Sequence, residues 1–183
     1  MCTRPVTHPY IPLLMETDGT ATAVRWALAY LGCAVPLVKR PAVVFDIDGT
    51  ILINKPDGSA ACAQHVERLA SACQRAGVPV FCVTARPERG DNRQHTLQQL
   101  AACGVHPQEL FLMPTGAEYG SYKRKARETI RGRGYSVLLS VGDQFADLSE
   151  HADDLGLSDD RTYVGQLGDD FSGFGIKLPS EFR

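Results

Sequence analysis

Val43-Val44-Phe45-Asp46-Ile47-Asp48-Gly49-Thr50-Ile51-Leu52 is the stretch whose reading decides the fold. Val43, Val44, Phe45 and Ile47 are β-formers in a run that is apolar on both faces, which suits the buried centre of a parallel sheet. Asp46 and Asp48 then emerge at the carboxyl end of that strand, where open α/β sheets bind ligands. Two carboxylates so close repel one another and resist desolvation unless a cation or a set of donors compensates them. A hard, oxygen-liganded ion such as Mg²⁺ meets that need. An isolated Asp-x-Asp-Gly is also what a simple turn contains, so the decision rests on the surrounding chain.

Working outward, Val78 to Val83 reads as a second strand ending at Thr84-Ala85-Arg86-Pro87, Leu110 to Met113 as a third, Ser136 to Val141 as a fourth and Arg161 to Leu167 as a fifth. A turn-rich flap over Asn54 to Ser59 follows the first strand. Helices are expected at about Ala60 to Arg75, where Cys62, Val66, Leu69, Ala70 and Cys73 form one stripe, at Gln94 to Cys103, at Tyr122 to Arg131 and, briefly, at Phe145 to Ala152. Strands alternating with helices call for right-handed crossovers and an open parallel sheet. The tail through Ile176-Lys177-Leu178-Pro179 is expected against that sheet. Upstream, Met1 to Asp18 reads as an extended arm with Pro5, Pro9 and Pro12, and Thr20 to Leu31 as a helix capped at Thr20 or Thr22 and stopped by Gly32, with Trp26 in the core. The division is therefore an N-terminal arm and helix over 1–40 and one α/β domain over 41–183.

A chain of 183 residues with 44% hydrophobic content can bury one core. Its formal charge of -2 gives no global electrostatic case for nucleic acid or an anionic membrane. The apolar stretch Thr20 to Val38 is interrupted by Arg25, Gly32 and Pro36, which fits neither a membrane span nor a signal peptide. The six cysteines (Cys2, Cys33, Cys62, Cys73, Cys82, Cys103) are scattered, without C-x-x-C spacing, and the histidines do not cluster with them in a zinc-ligand pattern. They read as free thiols in a reducing, cytoplasmic setting.

The polar residues fall at strand ends: Asp46 and Asp48 on the first, Thr84 on the second, Asp143 and Asp147 on the fourth, with Lys123 in the helix before it. Acids, a hydroxyl and a lysine brought to one sheet edge make a candidate catalytic constellation. With these residues in this order, the sequence resembles the haloacid dehalogenase-like (HAD) superfamily of phosphohydrolases: Asp46-x-Asp48-Gly49-Thr50, Thr84 after an apolar strand, Lys123, then Gly142-Asp143 and Asp147. Thr84-Ala85-Arg86, Arg93, Thr96 to Leu100, Gly104, Tyr122-Lys123, Val141 to Leu148 and Lys177-Leu178-Pro179 narrow the likeness to the class B and plant-type acid phosphatase branch, over roughly Pro41 to Pro179.

The resemblance implies a Rossmann-like HAD fold, a central parallel sheet of order 5-4-1-2-3 flanked by helices. The intervals Asp48–Thr84 and Thr84–Lys123 are too short for a large cap. It also implies Mg²⁺ held by the carboxylates of Asp46 and Asp143 and the backbone carbonyl of Asp48, with Asp147 supporting the metal's water and Lys123. Mn²⁺ takes similar ligands. Asp46 is then the nucleophile that forms an aspartyl-phosphate, and Asp48 the general acid and base. Thr84 and Lys123, with Lys125 as the alternative lysine, bind the phosphoryl oxygens. Arg86 either forks to the substrate or pairs with the Asp57 or Glu88 region. Arg89, Asn92 and Arg93 stand as a substrate rim or a plain surface loop.

The expected activity is Mg²⁺-dependent hydrolysis of nucleotides or other small phosphomonoesters. One alternative is a polynucleotide 3′-phosphatase using a groove of Arg89, Arg93, Lys123, Arg124 and Arg127, and another is a binding or storage protein on the same scaffold. No membrane partner is expected, and the N-terminal helix offers a homo-oligomer contact.

Overall fold

The computed structural model describes residues 13–149, 156–167 and 173–180. The expected arm before residue 13, the end of the helix expected to reach Ala152, and the acidic residues Asp153 and Asp154 lie outside the described residues.

The chain builds a seven-stranded sheet covered on both faces. In chain order the elements are β1 (Leu13–Glu16), α1 (Thr20–Ala34), β2 (Pro41–Phe45), β3 (Leu52–Asn54), β4 (Ala60–Cys62), α2 (Gln64–Arg75), β5 (Val80–Pro87), α3 (Asn92–Ala102), β6 (Glu109–Met113), α4 (Tyr119–Gly132), β7 (Ser136–Gly142), β8 (Tyr163–Gln166) and β9 (Phe174–Lys177). β2 lies between β7 and β5, parallel to both. Its alternating side chains feed two cores, as a strand buried on both faces requires. Val43 and Phe45 pack with residues of α1 and α2, such as Ala27, Leu31, Val66 and Leu69. Ala42 and Val44 pack with Tyr122, Ala126 and Ile130 of α4.

The sheet order is β1-β8-β9-β7-β2-β5-β6. The run β7-β2-β5-β6 is the expected 4-1-2-3. The expected fifth strand corresponds to β8, which is not the neighbour of β7. β9 stands between them, parallel to β7 and antiparallel to β8. Gly173 allows the approach, since a Cβ there would lie 2.7 Å from Val137 O and 2.9 Å from Leu138 O. β1 then pairs antiparallel with β8 at the sheet edge, and the buried residues of α1 join the main core.

Four local expectations are corrected. Residues 60–62 form strand β4 against β3 and not the start of a helix, because the flap folds back as a hairpin. Helix α1 is preceded by Gly19 and runs through Gly32 to Ala34, with no side-chain cap. Trp26 is 53% exposed, on the outer side of α1. Most directly, Cys62 and Cys103 are joined in a disulfide and Cys33 is disulfide-bonded as well. Only Cys73 and Cys82, both buried, are free thiols among the described residues. The fold brings positions 41 residues apart to a Cα–Cα distance of 5.6 Å, a proximity that cysteine spacing alone does not reveal. No helix among the described residues is long and apolar enough to cross a membrane.

Candidate active site

Asp46 follows β2 directly, its N–H donating to Val141 O at 2.8 Å, which locks it to the end of β7. The chain then turns sharply: Leu52 N and Thr50 N both donate to Ile47 O, and Gly49 N donates to Leu52 O. Gly49 takes φ 73°, a left-handed conformation that favours glycine. A Cβ there would stand 2.8 Å from Asp143 Oδ2, so the same glycine lets the β2 turn and the β7 loop approach.

The carboxylates of Asp46, Asp143 and Asp147 present oxygens within 4.8 Å of one another, all buried. Lys123 reaches them from α4. Its Nζ donates to Asp46 Oδ1, to Asp147 Oδ1 at 2.7 Å and to Val83 O at 2.7 Å, with the side chain 1% exposed. Lys125, two residues on, faces solvent, because a two-residue step on a helix turns to the opposite side. Thr84 is buried within β5, just before the irregularity in its pairing with β6, its Oγ1 accepting from Arg86 N at 3.2 Å.

Burial pushes the Asp46 carboxyl up to about 8; Lys123 opposes this, while Asp147 and Asp143 add to it. Burial also raises Asp143, to about 6, against the hydrogen bond from Gln144. Burial disfavours the Lys123 charge, but Asp147 and Asp46 more than offset it and hold the ammonium above its usual value. One ammonium among three buried carboxylates leaves the cluster short of positive charge, and its oxygen-only donor set fits a hard divalent ion.

Asp147 has both oxygens engaged. Oδ1 takes Lys123 and the Tyr119 hydroxyl, at 3.2 Å from the latter, and Oδ2 accepts from Gln144 N at 3.0 Å. Gln144 Nε2 donates to Asp143 Oδ2 at 3.0 Å and to Ser180 Oγ at 2.6 Å, fixing the outer face of Asp143. Arg127, one turn beyond Lys123, is buried and donates to Ala146 O and Asp147 O, each at 2.9 Å.

Asp48 sits at the mouth, ionised and held by a fork. Arg86 Nε donates to Oδ2 at 2.8 Å and Nη2 to Oδ1 at 2.7 Å, and Asn54 Nδ2 adds a bond to Oδ1 at 3.1 Å. Burial works against the charge, but these donors keep Asp48 below its ordinary value. Arg86 thus pairs with neither Asp57 nor Glu88; its remaining nitrogen bonds Thr96 and Gln99 of α3.

A cleft of about 280 Å³ opens onto this cluster, lined by Asp46, Asp48, Thr84, Ala85, Tyr119, Asp143 and Gln144. A sequence profile described as HAD superfamily, subfamily IIIB (acid phosphatase) matches residues 55–164, more than half of the chain.

This chain belongs to the HAD superfamily.

Its subfamily is IIIB, the acid phosphatases. Thr84, Lys123, Asp143 and Asp147 lie inside the matched segment, while Asp46 and Asp48 precede it. Among curated proteins, none matches the sequence. Among solved structures, this HAD chain is similar to one in a Pnkp1/Rnl/Hen1 complex, at 20% identity and TM-score 0.51 over 59% of this chain and 40% of that one. The chain thus spans about two fifths of that relative's length. It is also similar to a D,D-heptose 1,7-bisphosphate phosphatase from B. bronchiseptica complexed with magnesium and phosphate, at 16% identity and TM-score 0.43 over 62% and 75% of the two chains. At such identities the first likeness speaks for the fold alone.

The HAD site therefore gathers Asp46, Asp48, Thr84, Lys123, Asp143 and Asp147 at one sheet edge, with Arg86 beside Asp48. Arg89 and Asn92 stay outside the cleft lining. Arg93 is engaged with Leu110 O and Glu88, and Arg124 stands 3.9 Å from Glu128. Of the proposed basic groove, Lys123 and Arg127 are buried. Tyr119, Ser180 and Asn54 were not singled out by sequence, and Thr96, Gln99 and Gln144 entered only as parts of the family likeness, without a role; only the tertiary fold aligns them.

Proposed function

We propose that this chain is a Mg²⁺-dependent phosphomonoesterase that works through an aspartyl-phosphate on Asp46, with nucleotides or other small phosphate esters as substrates. The observation that carries this reading is the buried trio Asp46, Asp143 and Asp147 with Lys123 among them, at the floor of a cleft. The carboxylates of Asp46 and Asp143 and the backbone carbonyl of Asp48 would hold the metal, which when bound offsets the negative charge that keeps an anionic nucleophile from a phosphate dianion.

Asp46 attacks phosphorus with one carboxylate oxygen, and the bond from phosphorus to the leaving oxygen breaks. Asp48, ionised while Arg86 holds it, takes up a proton from solvent as the substrate binds and gives it to that oxygen. Water then attacks phosphorus and releases its proton to Asp48, and the bond to Asp46 breaks to free phosphate. Thr84 and Lys123 bind the phosphoryl oxygens, Lys123 as a point cation. Arg86 holds Asp48 in the unliganded protein, so in this reading it acts on the substrate through that carboxylate. Asp147 positions Lys123 and the metal's water and is not itself a ligand, because its oxygens are spoken for.

Small esters are favoured over polynucleotide ends because the cleft is small and the cations of the supposed groove other than Arg89 are buried or engaged. The disulfides favour an oxidising milieu over the cytoplasmic one inferred from scattered cysteines. The test is phosphate release from mononucleotides, sugar phosphates and an oligonucleotide 3′-phosphate, with Mg²⁺ and with a chelator. Metal-dependent release that is fastest on a small ester supports the reading. Release from the oligonucleotide alone, falling steeply with salt, would replace it with the polynucleotide activity.

A further inference from the structure

Asp48 is gripped from two sides by elements far apart in sequence. On one side Asn54 ends β3, whose partner β4 carries Cys62 directly across from Leu52. On the other, Arg86 is held by Thr96 and Gln99 of α3, and Cys103 is the residue that closes that helix. The disulfide between Cys62 and Cys103 joins these two sides. The connections form a closed ring: Asp48 to Asn54, through the β3–β4 hairpin to Cys62, across to Cys103, back one helical turn to Gln99, then to Arg86 and Asp48.

The hairpin needs such an anchor. Each strand has three residues, Ile53 is 40% exposed and the tip from Lys55 to Ser59 is exposed. Leu52 buries the base of the hairpin in the main core, but an unsupported two-stranded tip is marginal in water, so burial fixes the base and leaves Asn54 to other contacts. α3 is likewise fixed to the sheet chiefly through Thr96 and Leu100, its buried side chains. A covalent tie between the two makes separate arms into one frame around the carboxylate.

We propose that the Cys62–Cys103 disulfide, with Asn54 and Gln99 as positioning residues, sets the placement of Asp48 for proton transfer to the leaving group. This rests on the reading of Asp48 as general acid, and leaving-group dependence separates the two. An alkyl phosphate needs its leaving oxygen protonated, whereas p-nitrophenolate leaves without a proton. A misplaced acid therefore slows formation of the aspartyl-phosphate, read as kcat/KM, for the first ester and spares it for the second, while the later hydrolysis, in which Asp48 is the base, is common to both and shows only in kcat. General loss of structure slows both.

The experiment measures kcat/KM for an alkyl phosphate and for p-nitrophenyl phosphate, with Mg²⁺, in wild type, Asp48→Asn and Cys62→Ala/Cys103→Ala. Asp48→Asn is expected to lower the alkyl-to-aryl ratio by at least about a hundredfold, the usual scale of general acid catalysis. Loosening its frame is expected to lower the ratio by about tenfold, a fraction of that scale. An unchanged ratio in the double variant, with Asp48→Asn shifted, overturns the proposal and leaves the general acid standing. An unchanged ratio in Asp48→Asn overturns both. Should the double variant fail to fold, Asn54→Ala and Gln99→Leu in the disulfide-intact protein must each lower the ratio, and no change in either overturns the proposal. Peptide mapping without reductant is expected to recover a linked Cys62–Cys103 pair; recovery of both as free thiols overturns it as well.

Discussion

Replacing Lys123 with methionine should destabilise the protein in a way that depends on pH. Methionine fills the space of the lysine stem but carries no charge or donor. The ammonium it replaces is 1% exposed and bonds Asp46, Asp147 and Val83 O. Removing one partner of a buried ion pair costs about 3–5 kcal/mol, since the charge left behind is desolvated and unpaired. Here two carboxylates would be left facing one another. Part of that penalty is recovered by protonating Asp46, which burial already pushes up to about 8 in the metal-free protein. The loss is therefore full above that pH and smaller well below it. A loss of about 4 kcal/mol lowers Tm by about 8–16 °C in a chain of this size. Thermal unfolding in a chelator at about pH 9 and about pH 5 reads the effect and its pH dependence. Lys123→Met/Asp147→Asn should recover part of the loss. A Tm for Lys123→Met within about 2 °C of wild type at the higher pH, under 1 kcal/mol, would refute the claim that Lys123 neutralises this cluster.

Further outcomes are expected. Gly49→Ala places a Cβ 2.8 Å from Asp143 Oδ2 at φ 73°; it should cost about 1–2 kcal/mol from the backbone alone and weaken Mg²⁺ binding by calorimetry, which an undisturbed Asp143 would not show. In the metal-free protein, Asp46 and Asp143 have folded values raised to about 8 and about 6. The folded state then holds protons the unfolded state has released, so stability should fall as pH rises from about 4 to about 8 and Mg²⁺ should stabilise most at the upper end. Asp46→Asn should flatten that slope; a chelated wild type whose Tm does not fall over this range contradicts the shifts. Breaking the Cys62–Cys103 link frees a loop set by a sequence separation of 41 and should cost about 4 kcal/mol on the chain-entropy account, measured by denaturant unfolding of Cys62→Ala/Cys103→Ala.

What the sequence made legible was local pattern. The apolar run before Asp46 identified the central strand because burial on both faces leaves no alternation, and each strand-end acid announced itself by following such a run. Lys123 was separable from Lys125 only through the family resemblance; on the structure the reason is helical phase. The insertion of β9 between β7 and β8 was hidden because its signal is the absence of a side chain at Gly173, which matters only once β7 lies alongside. Trp26 was misplaced because amphipathic spacing fixes a stripe and not which bulky residue borders it. The disulfide was hidden because loop closure joins residues by the fold and not by spacing. Asn54 carries no motif, Thr96 and Gln99 entered only through the family likeness and without a role, and the Arg86–Asp48 fork to which they contribute is assembled from three separate elements.

Phosphate release by wild type and Asp46→Asn, each with Mg²⁺ and with a chelator, tests the central claim most directly. The account predicts release by wild type only with the metal, and none above background from a folded Asp46→Asn under either condition. Sustained turnover by Asp46→Asn would contradict it, because the account makes the Asp46 carboxylate the group that takes the phosphoryl group.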